Sequence, residues 1–81
     1  MILVEIQVPA LDEAYDFELK EEETTGELIM DIQALICEQE QIICADGEEL
    51  QLYSLRQEGL LEKHKSLKQQ GVRAGDELVL F

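Results

Sequence analysis

Apolar and polar residues alternate in two neighbouring stretches at the start of the chain. The first stretch places apolar side chains at every second position, at Ile2, Val4, Ile6 and Val8. The second does the same with Tyr15, Phe17 and Leu19. A period of two is typical of a half-buried strand. Pro9 ends the first strand because proline cannot donate to the ladder. With a turn over residues 10–13, the pattern predicts a hairpin.

A helix is predicted after the acidic run Glu21-Glu22-Glu23. Thr24 and Glu27 have the spacing of a capping box, which opens a helix. Apolar residues then recur at helical spacing and form one stripe over roughly four turns: Leu28, Ile29, Ile32, Leu35 and Ile36. We expect this stripe to face the hairpin.

The second half of the chain predicts shorter elements. Residues 42–45 leave the helix, and Asp46-Gly47 marks a turn. The alternation predicts a third strand over residues 50–54, a brief strand at Leu60-Leu61 and a helical turn from Ser66 to Gln70. Leu67 and Val72 should attach this turn to the core, and residues 77–81 should form the last strand.

The first and last strands are the most apolar, so they belong in the middle of the sheet, side by side and parallel. The prediction is an α+β fold of the β-grasp (ubiquitin-like) type, a mixed sheet packed on one helix. Residues 1–81 should form a single domain, because 81 residues leave no room for a second. Apolar residues make up 46% of the chain, which is enough for a core.

Charge limits the partners. The net charge is −13, and residues 1–51 hold fifteen acids against Lys20 alone. Binding to nucleic acid is therefore disfavoured, because phosphates require the opposite sign. Anionic membranes are disfavoured for the same reason, and no apolar run is long enough to cross a bilayer. The first residues predict a strand rather than a signal peptide, and two cysteines are too few for a secreted scaffold. We expect an acidic, cytoplasmic protein.

Candidate catalytic and metal-binding residues are few. His64 lies in a polar stretch and is interpreted as a solvated loop residue. The spacing of Cys37 and Cys44 fits neither a redox motif nor a zinc site, so both are interpreted as small packing residues. The acidic runs lack a calcium-loop pattern, and the five glycines are scattered at turns. No enzymatic activity, cofactor or metal is expected.

Two segments carry a resemblance to a known family. TTGELIMDIQALI resembles the helix opening of ubiquitin, and SLKQQGVRAGDELVLF resembles its closing turn and last strand. The small size, the DGE turn and the GV-x-x-GDEL ending are most similar to the bacterial YukD/EsaB proteins. The resemblance implies an accessory or adaptor protein of a type VII (WXG100, ESX-like) secretion system.

The last residue bears on conjugation. Ubiquitin and its sulfur-carrier relatives act through a flexible Gly-Gly end, since residues without a Cβ pass easily into the channel of an adenylating enzyme. Here the chain ends at Phe81, in a predicted strand, and the nearest glycine is Gly75. We therefore expect a binding module that is not conjugated.

One predicted surface could bind a protein. Leu3, Tyr53, Val79 and Phe81 should point away from the helix on adjacent strands and form an apolar patch. The resemblance implies binding there, because ubiquitin uses this face. Scattered surface apolar residues are the alternative. A second apolar group on the outward helix face, Met30, Ala34 and Cys37, is small.

Three hypotheses for function remain. The first is a non-enzymatic adaptor whose partners are proteins: components of a secretion apparatus, or a second copy in a homodimer. The second is a carrier or modifier that needs processing at its C-terminus. The third is an acidic regulator that binds a basic protein through residues 1–51.

Overall fold

The computed structural model describes residues 1–41 and 50–81. The elements in chain order are β1 (Ile2–Val8), a 3-10 turn (Pro9–Leu11), β2 (Glu13–Leu19), α1 (Thr25–Glu40), β3 (Leu52–Ser54), β4 (Gly59–Leu60) and β5 (Glu77–Leu80). In this part of the chain the strands form one sheet in the order β2-β1-β5-β3-β4. β1 and β5 are parallel, and the other neighbouring pairs are antiparallel. The predicted mixed sheet packed on one helix is confirmed.

The turn of the β1–β2 hairpin begins at Pro9, where a fixed backbone angle favours the first position of a helical turn. The N–H of Asp12 donates to the carbonyl of Pro9 at 3.1 Å, and Asp12 adopts a left-handed conformation with φ 52°. Aspartate tolerates this conformation better than most residues. The chain therefore reverses within a short turn and enters β2 at Glu13.

Thr24, the first residue of the predicted capping box, is the N-cap of α1. The backbone N–H of Glu27 donates to the hydroxyl of Thr24 at 3.3 Å, and that hydroxyl donates to the Glu27 carboxylate at 3.1 Å. These bonds satisfy one of the free N–H groups in the first turn of the helix.

Replacing this cap should have a measurable cost. Thr24→Ala is expected to lower the free energy of unfolding by about 1 kcal/mol, because the N–H of Glu27 loses its acceptor. Thr24→Ser keeps the hydroxyl and should retain most of that stability. Urea unfolding followed by circular dichroism measures both. Equal losses for the two variants would show that the hydroxyl is not the stabilising group.

The core lies between α1 and the inner face of the sheet. Its buried apolar side chains come from the strands, the helix and the closing turn: Val4, Ile6, Val8, Leu19, Leu28, Ile29, Ile32, Ile36, Leu52, Leu61, Leu67, Val72, Leu78 and Leu80. The predicted attachment of the closing turn by Leu67 and Val72 is confirmed. Leu35, predicted to belong to the core stripe of the helix, is instead 52% exposed.

The third strand is shorter than predicted. It covers Leu52–Ser54 rather than residues 50–54, although Gln51 still exchanges two backbone hydrogen bonds with Phe81, at 2.7 and 3.0 Å. The predicted brief strand is β4, which begins one residue earlier, at Gly59. The predictions for residues 42–49, including the turn at Asp46-Gly47, lie outside the described residues.

Candidate functional site

Three strands place apolar side chains next to one another on the face of the sheet that points away from α1. Tyr53 of β3 lies directly opposite Val79 of β5 on one side and Leu60 of β4 on the other. Tyr53 and Val79 are half-buried, and Leu60 is 55% exposed. These three side chains form a continuous apolar row across β5, β3 and β4.

Phe81 extends this row. It pairs with Gln51 just beyond β5, two residues after Val79, and therefore lies on the same face. Its side chain is 54% exposed. We call Tyr53, Leu60, Val79 and Phe81 the outer-face patch.

Leu3 does not join the outer-face patch, although the sequence placed it there. The parallel register sets Gln7 beside Val79 and Glu5 beside Glu77. Two carboxylates therefore lie between Leu3 and the apolar row, and Leu3 is next to Gly75, whose N–H donates to its carbonyl at 2.7 Å. Leu3 is 51% exposed but isolated at the other end of β1. The prediction of one surface containing Leu3, Tyr53, Val79 and Phe81 needs this correction.

Leu60 is the member of the patch that sequence reasoning missed. The sequence predicts a brief strand at Leu60-Leu61 but does not assign a face to either residue. The structure buries Leu61 in the core and turns Leu60 outward. The available signal was the alternation itself, because one of two successive leucines in a strand must face away from the core.

An ion pair between Arg56 and Asp76 connects the loop after β3 to the start of β5. The guanidinium of Arg56 donates from Nε to Oδ1 of Asp76 at 3.0 Å and from Nη2 to Oδ2 at 3.1 Å. The N–H of Arg73 also donates to Oδ2, at 3.0 Å. These bonds, chiefly the one from Arg56, hold the pKa of the buried Asp76 carboxyl below its ordinary value. Asp76 immediately precedes β5, so the pair helps to place Val79.

Among the described residues, which exclude Cys44 and the acids at positions 46–49, the groups considered for catalysis and metal binding do not form a cluster. His64 is exposed in the loop before the closing turn, as predicted. Within residues 1–41 and 50–81, no group of three or more His, Cys, Asp or Glu side chains could hold a metal ion. No helix in the same residues is long and apolar enough to cross a membrane.

Cys37 differs from its predicted role. It is half-buried and disulfide-bonded, whereas the sequence interpretation made it a small packing residue. The other cysteine of the chain, Cys44, lies outside the described residues. The small outward group on α1 therefore reduces to Met30 and Ala34, which are both exposed.

No family model matches the chain, and no curated protein matches it in sequence. Solved structures do match it over nearly its whole length. The ubiquitin-like domain of an Arabidopsis thaliana protein is 21% identical, with a TM-score of 0.73, over 99% of this chain and 74% of that one. The N-terminal ubiquitin-like domain of the 4931431F19Rik protein is 18% identical, with a TM-score of 0.76, over 99% and 72% of the two chains.

A third similar structure is the ubiquitin-like domain of EccD5 from Mycobacterium xenopi. It is 20% identical, with a TM-score of 0.77, and the match covers 99% of this chain and 91% of that one. Likeness at these identities establishes the fold. The chain has the ubiquitin-like fold predicted from its sequence.

Proposed function

We propose that this protein is a non-enzymatic interaction module that binds a protein partner through the outer-face patch. One observation carries the proposal: Val79, Tyr53 and Leu60 lie in register across three neighbouring strands. When a partner covers an apolar row of this kind and removes it from water, the free energy of the complex falls.

The chemistry of the patch supports a protein as the ligand. Tyr53 stands at the centre of the row, and a central tyrosine among aliphatic side chains is typical of residues that dominate binding energy. Polar side chains border the row on β1 and β5, where Gln7, Glu5 and Glu77 face the same side. An apolar centre with a polar rim is the usual anatomy of a protein interface.

We place this module in the cytoplasm, as an accessory or adaptor protein of a type VII secretion system. The resemblance to the YukD/EsaB proteins supports the assignment, as does the fold shared with the EccD5 domain. The expected partners are proteins of the secretion apparatus. Disulfides are rare in the cytoplasm, so the assignment implies that Cys37, which is disulfide-bonded here and lies outside the buried core, is reduced in the cell.

The proposal is tested by deleting the gene in its native host and measuring secretion of WXG100 substrates. Deletion should reduce secretion, and the wild-type gene should restore it. The double variant Tyr53→Asp/Val79→Asp should fail to restore it, because two carboxylates in the apolar row oppose burial against a partner. Circular dichroism of the purified variant checks that the domain remains folded.

Leu3→Asp is the matched control, since it places the same charge on an exposed leucine of the same face, away from the row. It should restore secretion as the wild type does. Full restoration by the Tyr53→Asp/Val79→Asp variant would show that the outer-face patch is not the binding surface. Unchanged secretion after deletion would contradict the type VII assignment. Comparing the solution mass of the wild type with that of the Tyr53→Asp/Val79→Asp variant shows separately whether a second copy occupies the patch.

A further inference from the structure

A second apolar surface lies on the opposite side of the molecule, between α1 and the edge strand β2. It is an open groove of about 430 Å³. Phe17 and Leu19 of β2 form one wall, and Leu28, Ile32 and Leu35 of α1 form the other. Ile32 and Leu28 lie in the core, whereas Leu35 is exposed at the groove. The apolar stripe of α1 therefore continues past the core into an open channel.

The end of the groove near the C-terminus of α1 is bounded by a hydrogen bond between helix and strand. The Tyr15 hydroxyl donates to the Glu40 carboxylate. This hydrogen bond raises the pKa of Tyr15 to about 12, because it stabilises the protonated phenol beside a negative charge. The contact joins the last turn of α1 to β2 at this end of the groove.

The strand beside the groove has an unpaired backbone edge. In β1, the N–H of Glu5 and the carbonyl of Leu3 bond to residues 76 and 75, at 3.0 and 2.7 Å, so the backbone of these residues points toward β5. The alternate residues of β1 must then point toward β2. Val4 pairs with Phe17, and Ile6 pairs with Tyr15. Phe17 and Tyr15 therefore direct their backbone N–H and carbonyl groups toward β1.

It follows that the intervening residues of β2 direct their N–H and carbonyl groups away from the sheet: Ala14, Asp16 and Glu18. Among residues 1–41 and 50–81, no strand pairs with this side of β2. An extended segment could therefore add there through main-chain hydrogen bonds. Alternate side chains of that segment would point into the groove, beside Phe17 and Leu35.

Charge selects the kind of segment. Asp16 and Glu18 are exposed along the open edge, on the outer side of the sheet. On the groove side, Glu23, Asp31 and Glu38 border the apolar walls. The basic side chain at this rim, Lys20, lies 3.9 Å from the Glu23 carboxylate, which offsets its charge. A segment carrying lysine or arginine would meet carboxylates on both sides.

The same carboxylates oppose pairing with a second copy. Two β2 strands joined edge to edge in antiparallel orientation and centred on Asp16 would set the two Asp16 side chains directly opposite each other. Like charges in that position destabilise a strand pair, and charged edges are a common protection against self-association. The charges of this edge therefore favour a basic strand and oppose pairing with the β2 of a second copy.

We propose that the groove and the open edge of β2 bind an extended segment in which apolar residues alternate with lysine or arginine, and which adds to the sheet as a further strand. Apolar side chains enter the groove, and the basic ones contact Asp16 and Glu18. This site is on the other edge of the sheet from the outer-face patch, and it does not depend on the function proposed for that patch.

The probe is the acetylated and amidated heptapeptide KVKVKLK, as long as the seven-residue strand β2. Titration into the uniformly ¹⁵N-labelled protein should give saturable shifts of the amide signals of Ala14, Asp16 and Glu18. The signals of Tyr53 and Val79 should not move. The peptide EVEVELE has the same apolar residues and should not bind, because its charges repel those of the edge.

Three variants separate the contributions. Asp16→Pro removes a free edge donor but no bond of the β1–β2 ladder, and should weaken binding about tenfold. Leu35→Lys, which charges the groove wall, should weaken it by a similar factor. If Asp16→Pro unfolds the domain, the Leu35→Lys variant provides the test. Leu35 is exposed, so a lysine at this position should leave the domain folded.

The double variant Asp16→Asn/Glu18→Gln should also weaken binding about tenfold. Its matched control, Glu5→Gln/Glu77→Gln, removes the same charge from the middle of the outer face and should change affinity less than about twofold. Equal weakening by both pairs would mean general attraction between opposite charges and would overturn the site. Amide shifts centred on Tyr53, or unchanged affinity in the Leu35→Lys variant, would also overturn it.

Discussion

Ile32→Ala is expected to lower the free energy of unfolding by about 2–5 kcal/mol. Ile32 is fully buried in the middle of α1, where the helix faces the sheet. Removing three carbons there loses their transfer energy and leaves a space that its rigid neighbours fill only in part. Alanine is a strong helix former, so the loss reports on packing rather than on the helix itself. A small domain has only about 5–15 kcal/mol of stability to lose.

Leu35→Ala is the matched control for this prediction. It shortens a residue of the same apolar stripe, three positions along the same helix, but one that is 52% exposed. We expect a loss below about 1 kcal/mol, because most of the removed surface is already in contact with water. Urea unfolding of both variants, followed by circular dichroism at 222 nm, measures the two losses under identical conditions.

The difference between the two losses is the decisive quantity. Similar losses would mean that Leu35 is as well packed as Ile32, which would contradict both the exposed groove and the site proposed there. A small loss for Ile32→Ala would contradict the placement of α1 against the sheet.

These two residues also show where the sequence stops predicting the fold. Helical periodicity identified the stripe that contains both of them, and hence the face of α1 that packs on the sheet. Periodicity assigns a direction around the helix axis, but it does not give the width of the surface underneath. Leu35 lies at the groove beside β2, at the edge of the sheet, and not over its inner face. The same pattern therefore contains one core residue and one groove residue.

The candidate site divides in a similar way. Alternation within each strand correctly indicated that Tyr53 and Val79 share a face, because the period of a strand is fixed by its backbone. It did not give the register between β1 and β5, which is set by contacts such as the bond from Gly75 to Leu3. A shift along the strand separates two residues of one face without changing their pattern. Leu3 was misplaced for this reason.

Cys37 illustrates a third limit. The seven-residue spacing of the two cysteines excluded the short redox and zinc motifs, and the remaining interpretation was packing. A disulfide depends on the distance between two Cβ atoms in the folded chain, which spacing alone does not determine. The disulfide-bonded state of Cys37 therefore came from the structure and not from the sequence.

Asp76→Asn is expected to lower the free energy of unfolding at pH 7 by about 1.5–3 kcal/mol, the usual contribution of hydrogen bonds to a charged group. The carboxylate accepts from Arg56 and from the N–H of Arg73. An asparagine amide would instead direct a donor toward one of these donors. Urea unfolding of the wild type and the variant at a series of pH values measures the difference.

The pH dependence of that difference follows from the direction of the pKa shift. The pKa of Asp76 is lower in the folded protein than in the unfolded chain, chiefly because Arg56 donates to its carboxylate. The carboxylate therefore contributes its full stabilisation above the unfolded pKa of about 3.9. That contribution decreases as the pH falls through the lower pKa of the folded state. The gap between wild type and Asp76→Asn should be constant near neutral pH and should narrow below about pH 4.

Glu62→Gln is the control. Its carboxylate lies 2.9 Å from the ammonium of Lys65, and this pair also lowers its pKa, but both side chains are more than half exposed. Exposed ion pairs contribute little, so no measurable loss is expected at any pH. A gap for Asp76→Asn that stays the same at pH 3 would show that the charge of the carboxylate is not the source of the stability. In that case the turn before β5, and with it the position of Val79, would be held by neutral contacts instead.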